Sequence, residues 1–307
     1  MRTWARSRPS RLLPLRLGTR GSALALAQAR WVAERLDDEV ELVTITTSGD
    51  RGAQTDKSRF VKELEESLLA GELDLAVHSA KDGPGELPPG LSIVGVPARA
   101  DPYDALCGAD SLDALAAGAV VGTASVRRRA QLLALRDDLE VRELRGNVDT
   151  RLGRLAAGDF HAIVLARAGL ERLGRAGEGE PLPALVPAPG QGCLALEARS
   201  DDEPTAAAAA RLTDRQALTA LTAERALVTG LSATCNTPIG AHAREHDGAL
   251  VLSAFVGLPD GSHWIRDDLD GDEADPAALG RAVAERLEAA GARELLDEAE
   301  RTALDVR

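Results

Sequence analysis

The sequence predicts an α/β protein, with two similar α/β domains facing across a cleft and a small α+β domain at the C-terminal end. Three observations carry this. Strand-like apolar runs alternate with helical patterns from Leu15, and the same alternation begins again at Ala119. Two Pro/Gly-rich stretches, Pro97–Asp104 and Pro187–Gly192, are placed to cross between the two units. Beyond Cys235 the texture changes to hairpins, with turn signals at Asp247-Gly248 and Asp260-Gly261. The divisions expected are a tail over 1–14, a first domain over 15–96 with 193–213, a second over 97–192 and a third over 214–307. A chain that crosses twice makes a two-segment hinge, which suits closure over a ligand.

In order, Leu15–Thr19 reads as a strand and Ala23–Leu36 as a helix that Ser22 caps. Glu39–Thr47 is rich in β-branched residues and reads as a strand, followed by a polar loop over Ser48–Arg59. Phe60–Ala70 has a helical pattern closed by Gly71. The stretch from Leu73 alternates and then runs apolar, as a buried strand does, before it stops in a polar tip, His78-Ser79-Ala80-Lys81-Asp82, ended by Gly83-Pro84. Leu91–Val96 is a further strand. In the second unit the expected order is strand Ala119–Thr123, helix Ser125–Leu135, strand Glu140–Leu144, helix Val148–Ala157 and strand His161–Ala166. Such alternation predicts parallel sheets. Cys193–Glu197 is an apolar strand, Asp214–Gly230 a helix, and Pro276–Ala289 and Ala292–Leu304 two more; Ala206–Ala210 is only a helix-friendly run.

Composition excludes several classes. The 307 residues are 44% hydrophobic and 28% charged, as in a soluble globular protein, and no apolar run reaches the length a membrane span needs. A net charge of −13 and an aromatic content of 2% argue against a nucleic-acid binder. The three cysteines, Cys107, Cys193 and Cys235, form neither a metal-ligand pattern nor a disulfide framework, so no metal is expected and a reducing, cytoplasmic setting fits. Cys107 and Cys193 lie in apolar runs and read as core. Cys235 lies among small polar residues before a proline and reads as a loop thiol.

The chemistry-bearing residues gather at strand ends, where open α/β sheets hold their ligands. All but three of the 36 basic residues are arginines; Lys57, Lys62 and Lys81 lie close together in sequence around the polar tip. Gly18-Thr19-Arg20-Gly21-Ser22 is a strand-to-helix turn suited to an anion. Thr123, Ser125, Arg127 and Arg128 occupy a second such turn, and Arg145, Gly146 and Arg151 a third. Guanidinium forks at helix N-termini suit carboxylates and phosphates, and a multi-carboxylate substrate is the sharper reading of the cluster. Solvated helix faces paired to neighbouring acids are the blander one.

Gly18–Ser22, Phe60–Glu65, His78–Asp82, Gly122–Arg128, Arg145–Arg151, Pro189–Gly192 and Cys235 with Pro238-Ile239-Gly240 together resemble the porphobilinogen deaminase (hydroxymethylbilane synthase) family. Each piece is weak alone, but the set in this order and spacing is specific and covers the chain from Leu15 to the C-terminal helices. The resemblance implies two periplasmic-binding-protein-like domains plus a small third one. It implies a transferase that condenses four porphobilinogen molecules on a dipyrromethane cofactor bound through a thioether to Cys235. It implies Asp82 as the catalytic carboxylate beside Lys81. Ser79, Lys81, Thr123, Ser125, Arg127, Arg128, Arg145 and Gly146 would hold the cofactor, and Arg20, Ser22, Lys57, Phe60, Arg145, Arg151, Arg172 and Gln191 the substrate. A monomer without nucleic-acid or membrane partners is expected. Three positions depart from the family pattern: Asp56-Lys57-Ser58-Arg59 before Phe60, Ala233-Thr234 before Cys235, and Gly230. The competing expectation is a non-catalytic two-lobed binding or sensor protein for a multi-carboxylate ligand, which leaves Cys235 and the third domain without a task.

Overall fold

A computed structural model describes residues 13–47, 61–233 and 237–305. Lys57, Phe60 and Cys235 lie outside the described residues.

The first sheet holds β1 (Leu15–Arg20), β2 (Val40–Ile45), β3 (Leu75–Ser79), β4 (Leu91–Gly95) and a late strand, β10 (Leu194–Arg199), in the order β2-β1-β3-β10-β4. The second holds β5 (Asp104–Cys107), β6 (Val120–Gly122), β7 (Glu140–Arg142), β8 (Ala162–Ala166) and β9 (Glu180–Leu182), in the order β7-β6-β8-β5-β9. The all-parallel expectation is corrected in both. β1 runs parallel to β2 and β3, but β10 is antiparallel to β3 and β4. Likewise β6 runs parallel to β7 and β8, and β5 is antiparallel to β8 and β9. The reversed strand in each sheet is the one the chain enters directly from a crossing segment, without a helix to turn it round. The two sheets therefore share one order and one pattern of senses.

Helices cover the sheets: α1 (Ala23–Ala33) and α2 (Lys62–Leu69) on the first, α3 (Val126–Leu135), α4 (Val148–Ala156) and α5 (Arg167–Arg172) on the second. Ser22, Ser125 and Asn147 cap α1, α3 and α4, each accepting a backbone N–H from three residues on. Strands β5 and β9 and helix α5 are not among the elements expected from the sequence. The alanine run forms part of α6 (Glu203–Ala210), which Asp202 caps through the Thr205 N–H.

The third layer is an antiparallel sheet of β11 (Ile239–His246), β12 (Ala249–Gly257) and β13 (Trp264–Gly271), packed on α7 (Arg215–Gly230), α8 (Pro276–Ala289) and α9 (Ala292–Asp305). Its first turn is Asp247-Gly248 with φ of 51° and 79°, the left-handed pair a two-residue hairpin needs. Helix α7 has two apolar faces. Ala217 and Leu221 pack with Ala80, Val96, Cys193 and Ala195 of the first sheet, and Ala220, Ala223 and Leu227 with the third-layer core. Cys107 and Cys193 are fully buried, as expected.

Candidate active site

Strand β3 is apolar through Val77 and then turns in a single 3-10 turn, Ala80–Asp82, entered from Ser79 in extended conformation. The turn is tied down by the Ala80 N–H, which donates to the Cys193 carbonyl at 3.1 Å, and by the Ala80 side chain packed under α7. Lys81 and Asp82 are left half-buried at the carboxyl end of the strand. They line a cleft with Arg20 and Ser22 from the β1–α1 turn, and with Arg172 from α5 on the second sheet's side. The cleft thus lies between the two α/β units, at strand ends of the first and at α5 of the second.

Sequence-predicted residues are grouped in three layers. Arg20, Ser22, Ser79, Lys81, Asp82 and Arg172 share the cleft wall. Behind it, Lys81 Nζ donates to Gln191 Oε1 at 3.1 Å, and Gln191 Nε2 donates to the Pro102 carbonyl at 2.8 Å and Asp104 Oδ1 at 2.9 Å. Arg127 and Arg128 lie deeper and are engaged by Asp104. Arg127 Nη2 donates to Oδ2 at 2.8 Å, and Arg128 Nε and Nη2 donate to Oδ1 at 2.9 and 2.7 Å. Burial alone would raise the Asp104 carboxyl, but the two guanidinium groups hold it well below the usual carboxylate range. Thr123 is buried beside them, its hydroxyl accepting the Ser125 N–H.

The third group sits at the N-terminus of α4. Gly146 takes a φ of 114°, and Arg145 forms an exposed ion pair with Glu143 at 2.7 Å. Arg151 Nε donates to the Gly146 carbonyl at 2.7 Å. Burial, with Arg128 nearby, pushes the Arg151 guanidinium down to about 10, and burial also lowers Arg172, whose Nη2 donates to the Gly192 carbonyl at 2.7 Å. Among the described residues neither Arg151 nor Arg172 meets a carboxylate within ion-pair distance. A partly desolvated cation such as Arg172 is costly until an anion reaches it, so the cleft it lines suits negatively charged groups.

Sequence reasoning missed Asp104, Glu197 and Glu65. Asp104 and Glu197 are acids inside apolar strand runs, Asp104-Ala105-Leu106-Cys107 and Leu194-Ala195-Leu196-Glu197, and both are fully buried. An acid in such a run is a signal, because a buried carboxylate requires a partner.

Comparison with known proteins adds the following. A family model described as "Porphobilinogen deaminase, dipyromethane cofactor binding domain" matches residues 15–207, and one described as "Porphobilinogen deaminase, C-terminal domain" matches 218–289. The chain is 46% identical over 300 residues to a porphobilinogen deaminase of Deinococcus radiodurans, covering 92% of this chain and 97% of that one. It is 48% identical over 292 residues to one of Thermus thermophilus, covering 91% and 97%. Similar solved structures include a periplasmic sulfonate-binding protein from Methylobacillus flagellatus, 13% identical over 70% of this chain and 68% of that one, at a TM-score of 0.38, too low to argue from.

Proposed function

The chain belongs to the porphobilinogen deaminase family, and from that premise we propose how its own residues carry the reaction of that family. The protein is a transferase that deaminates four porphobilinogen molecules and joins them head to tail on a dipyrromethane primer, releasing linear hydroxymethylbilane. The observation that carries the assignment of roles is the cleft itself, where one carboxylate, Asp82, stands among Arg20, Lys81 and Arg172 at the ends of facing units.

The donor set fits the cofactor. Each pyrrole of a dipyrromethane bears two carboxylates, and the cleft offers Arg20, Lys81 and Arg172, with Thr123, Ser125, Arg145, Gly146 and Arg151 at two helix N-termini. When bound, the dipyrromethane supplies the nucleophilic pyrrole carbon that substrate is joined to. Arg127 and Arg128 form the wall behind these groups and keep Asp104 ionised. Attachment at Cys235 is supported by the state of the other two thiols: burial pushes Cys107 up to about 11 and Cys193 up to about 12, which leaves both unreactive at neutral pH.

Asp82 acts on the substrate. Loss of ammonia from the aminomethyl group leaves a cationic methylene-pyrrolenine, and a carboxylate at the strand end stabilises that charge and accepts the pyrrole N–H. The same oxygens hold and pass protons as the amine departs and as the new carbon–carbon bond forms. Lys81, held by Gln191, and Arg20 and Arg172 orient the acetate and propionate groups. Lys57 and Phe60 remain substrate-binding residues on this reading, by the resemblance of their sequence positions.

We propose divisions at 96/97, 192/193 and 213/214, a reading supported by the strand membership of the two sheets, and we place the protein in the cytoplasm as a monomer. Among the described residues no helix is long and apolar enough to cross a membrane. A non-catalytic binding protein is not favoured by the family match.

Intact-mass spectrometry of protein from a host that makes porphobilinogen tests the reading. A covalent addition of two pyrrole units is expected, mapping to the peptide that contains Cys235. Cys235→Ser is expected to fold, lack the adduct and make no tetrapyrrole. A bare mass together with normal synthase activity would remove Cys235 from the mechanism.

A further inference from the structure

Directly under the Lys81–Asp82 turn lies a buried group of titratable side chains to which the chemistry above gives no task. His78, the last buried residue of β3, is 6% exposed, Glu197 on β10 is fully buried, and Glu65 on α2 is 7% exposed. His78 Nδ1 lies 3.1 Å from the Ser79 carbonyl oxygen, and Nε2 lies 3.1 Å from Glu197 Oε2. Both ring nitrogens therefore face oxygen acceptors. A neutral imidazole has one donor and one acceptor nitrogen, so it would satisfy one side and turn a lone pair on the other. An imidazolium donates to both.

The ring also touches the turn it supports. A Cβ at Gly83 would approach His78 Cε1 to 3.1 Å, and His78 itself forms part of the cleft wall. The charged groups around it come from every side: Lys81 and Asp82 on the turn, Glu197 on β10, Glu65 on α2, and Arg20 at the end of the neighbouring strand β1. Arg225 on α7 acts on Glu197 and donates to the Pro84 and Gly85 carbonyls, which fixes the exit of the same turn.

We propose that His78, as an imidazolium donating to both the Ser79 carbonyl and the Glu197 carboxylate, is a positioning residue that sets the orientation of the turn carrying Lys81 and Asp82. This rests on the assignment of Asp82 as the working carboxylate. Ser79 is the residue from which the turn starts, so a proton lost from His78 frees its carbonyl or breaks the link to β10, and either change moves the turn. Burial disfavours the charged ring, but the Glu197 hydrogen bond and charge outweigh it, so the ring holds its proton above the ordinary histidine range. His242, the other histidine buried to this degree among the described residues, shows the reverse: burial, with Arg99 and Arg244 adding to it, pushes it down to about 3.

The test uses the full-length holoprotein with nitrogen-15-labelled histidine. Its 5 histidines are followed by NMR, with His78 assigned from its loss in His78→Asn or, if that variant does not fold, from its movement in Glu197→Gln. The expected result is a His78 ring doubly protonated at pH 7, where an unperturbed histidine is mostly neutral. In Glu197→Gln its titration is expected at least one pH unit lower. The alkaline fall of kcat for porphobilinogen consumption should move by the same amount, with KM changed less than twofold. A neutral His78 ring at pH 7 overturns the proposal. So does a kcat profile that stays in place while the histidine titration moves, because a purely structural contact would lower thermal stability without shifting that limb. Failure of the underlying reading shows separately, as undiminished turnover in Asp82→Asn.

Discussion

On the proposed reading a single carboxylate among cations, Asp82, carries the reaction, and its neighbours differ sharply in what they contribute. Asp82→Asn preserves shape and removes the charge that the cationic intermediate needs. Turnover is expected to fall by about 10²–10³-fold, with the thermal midpoint and the bound cofactor retained; stopped assays and intact mass check both. Arg128 and Arg145 looked alike in sequence, each an arginine at a helix N-terminus. Arg145 shares an exposed pair with Glu143, 57% and 59% exposed, so Arg145→Gln is expected to change stability by less than about 0.5 kcal/mol while raising KM. Arg128 shares the fully buried Asp104 with Arg127. Asp104→Ala leaves two buried guanidinium groups facing each other and is expected to cost about 3–5 kcal/mol in urea unfolding. A loss below about 1 kcal/mol would contradict the buried ion cluster.

At the scale of elements, α2, β3 and β10 meet over the cluster of Glu65, His78 and Glu197. Burial, and then the charge of Glu197, pushes Glu65 up to about 7. A carboxyl raised in the fold binds its proton more tightly than in the unfolded chain, so its contribution is complete below about pH 4.5 and is lost as pH rises to about 7. His78, also raised, adds a loss that continues as pH rises through its own folded value. Glu65→Gln is expected to flatten the decline between pH 4.5 and 7 by on the order of 2 kcal/mol, measured as urea midpoints across pH. An unchanged slope would show that Glu65 is not held neutral. The sequence marked α2 by its helical period, yet Glu65 sits on the buried face, and period alone does not say which acid a neighbouring strand will cover.

Across the whole molecule, one side chain joins both crossings to the third layer. Glu224 on α7 is fully buried. It accepts from Arg99 Nη1 at 2.6 Å on the first crossing, from the Gly190 N–H at 2.6 Å on the second, and from the Ala243 N–H at 2.8 Å on β11. Arg99 in turn donates through Nε to the Gln191 carbonyl at 2.9 Å. Glu224→Gln removes the charge opposite a nearly buried guanidinium and replaces two acceptor oxygens with one. Stability is expected to fall by about 3 kcal/mol or more. Differential scanning calorimetry should show the cooperative transition broadening as the third layer separates from the crossings. A single sharp transition at the original temperature would remove Glu224 as the joint.

The sequence by itself determined the two α/β units, the crossings, the hairpin texture of the last third and the motif set, because periodicity, turn chemistry and helix caps are local properties of consecutive residues. It also placed Lys81 and Asp82 at a strand end, since the apolar run stops there. Tertiary structure alone decided the reversed senses of β5 and β10, because strand sense depends on how the chain returns from a neighbouring domain. It alone decided that Arg127 and Arg128 face Asp104, 23 and 24 positions away, while Arg172 faces the cleft. It alone brought His78 to Glu197 across 119 positions. What a buried charge does is set by the partner that shares its low-dielectric surroundings, and that partner is chosen by the fold.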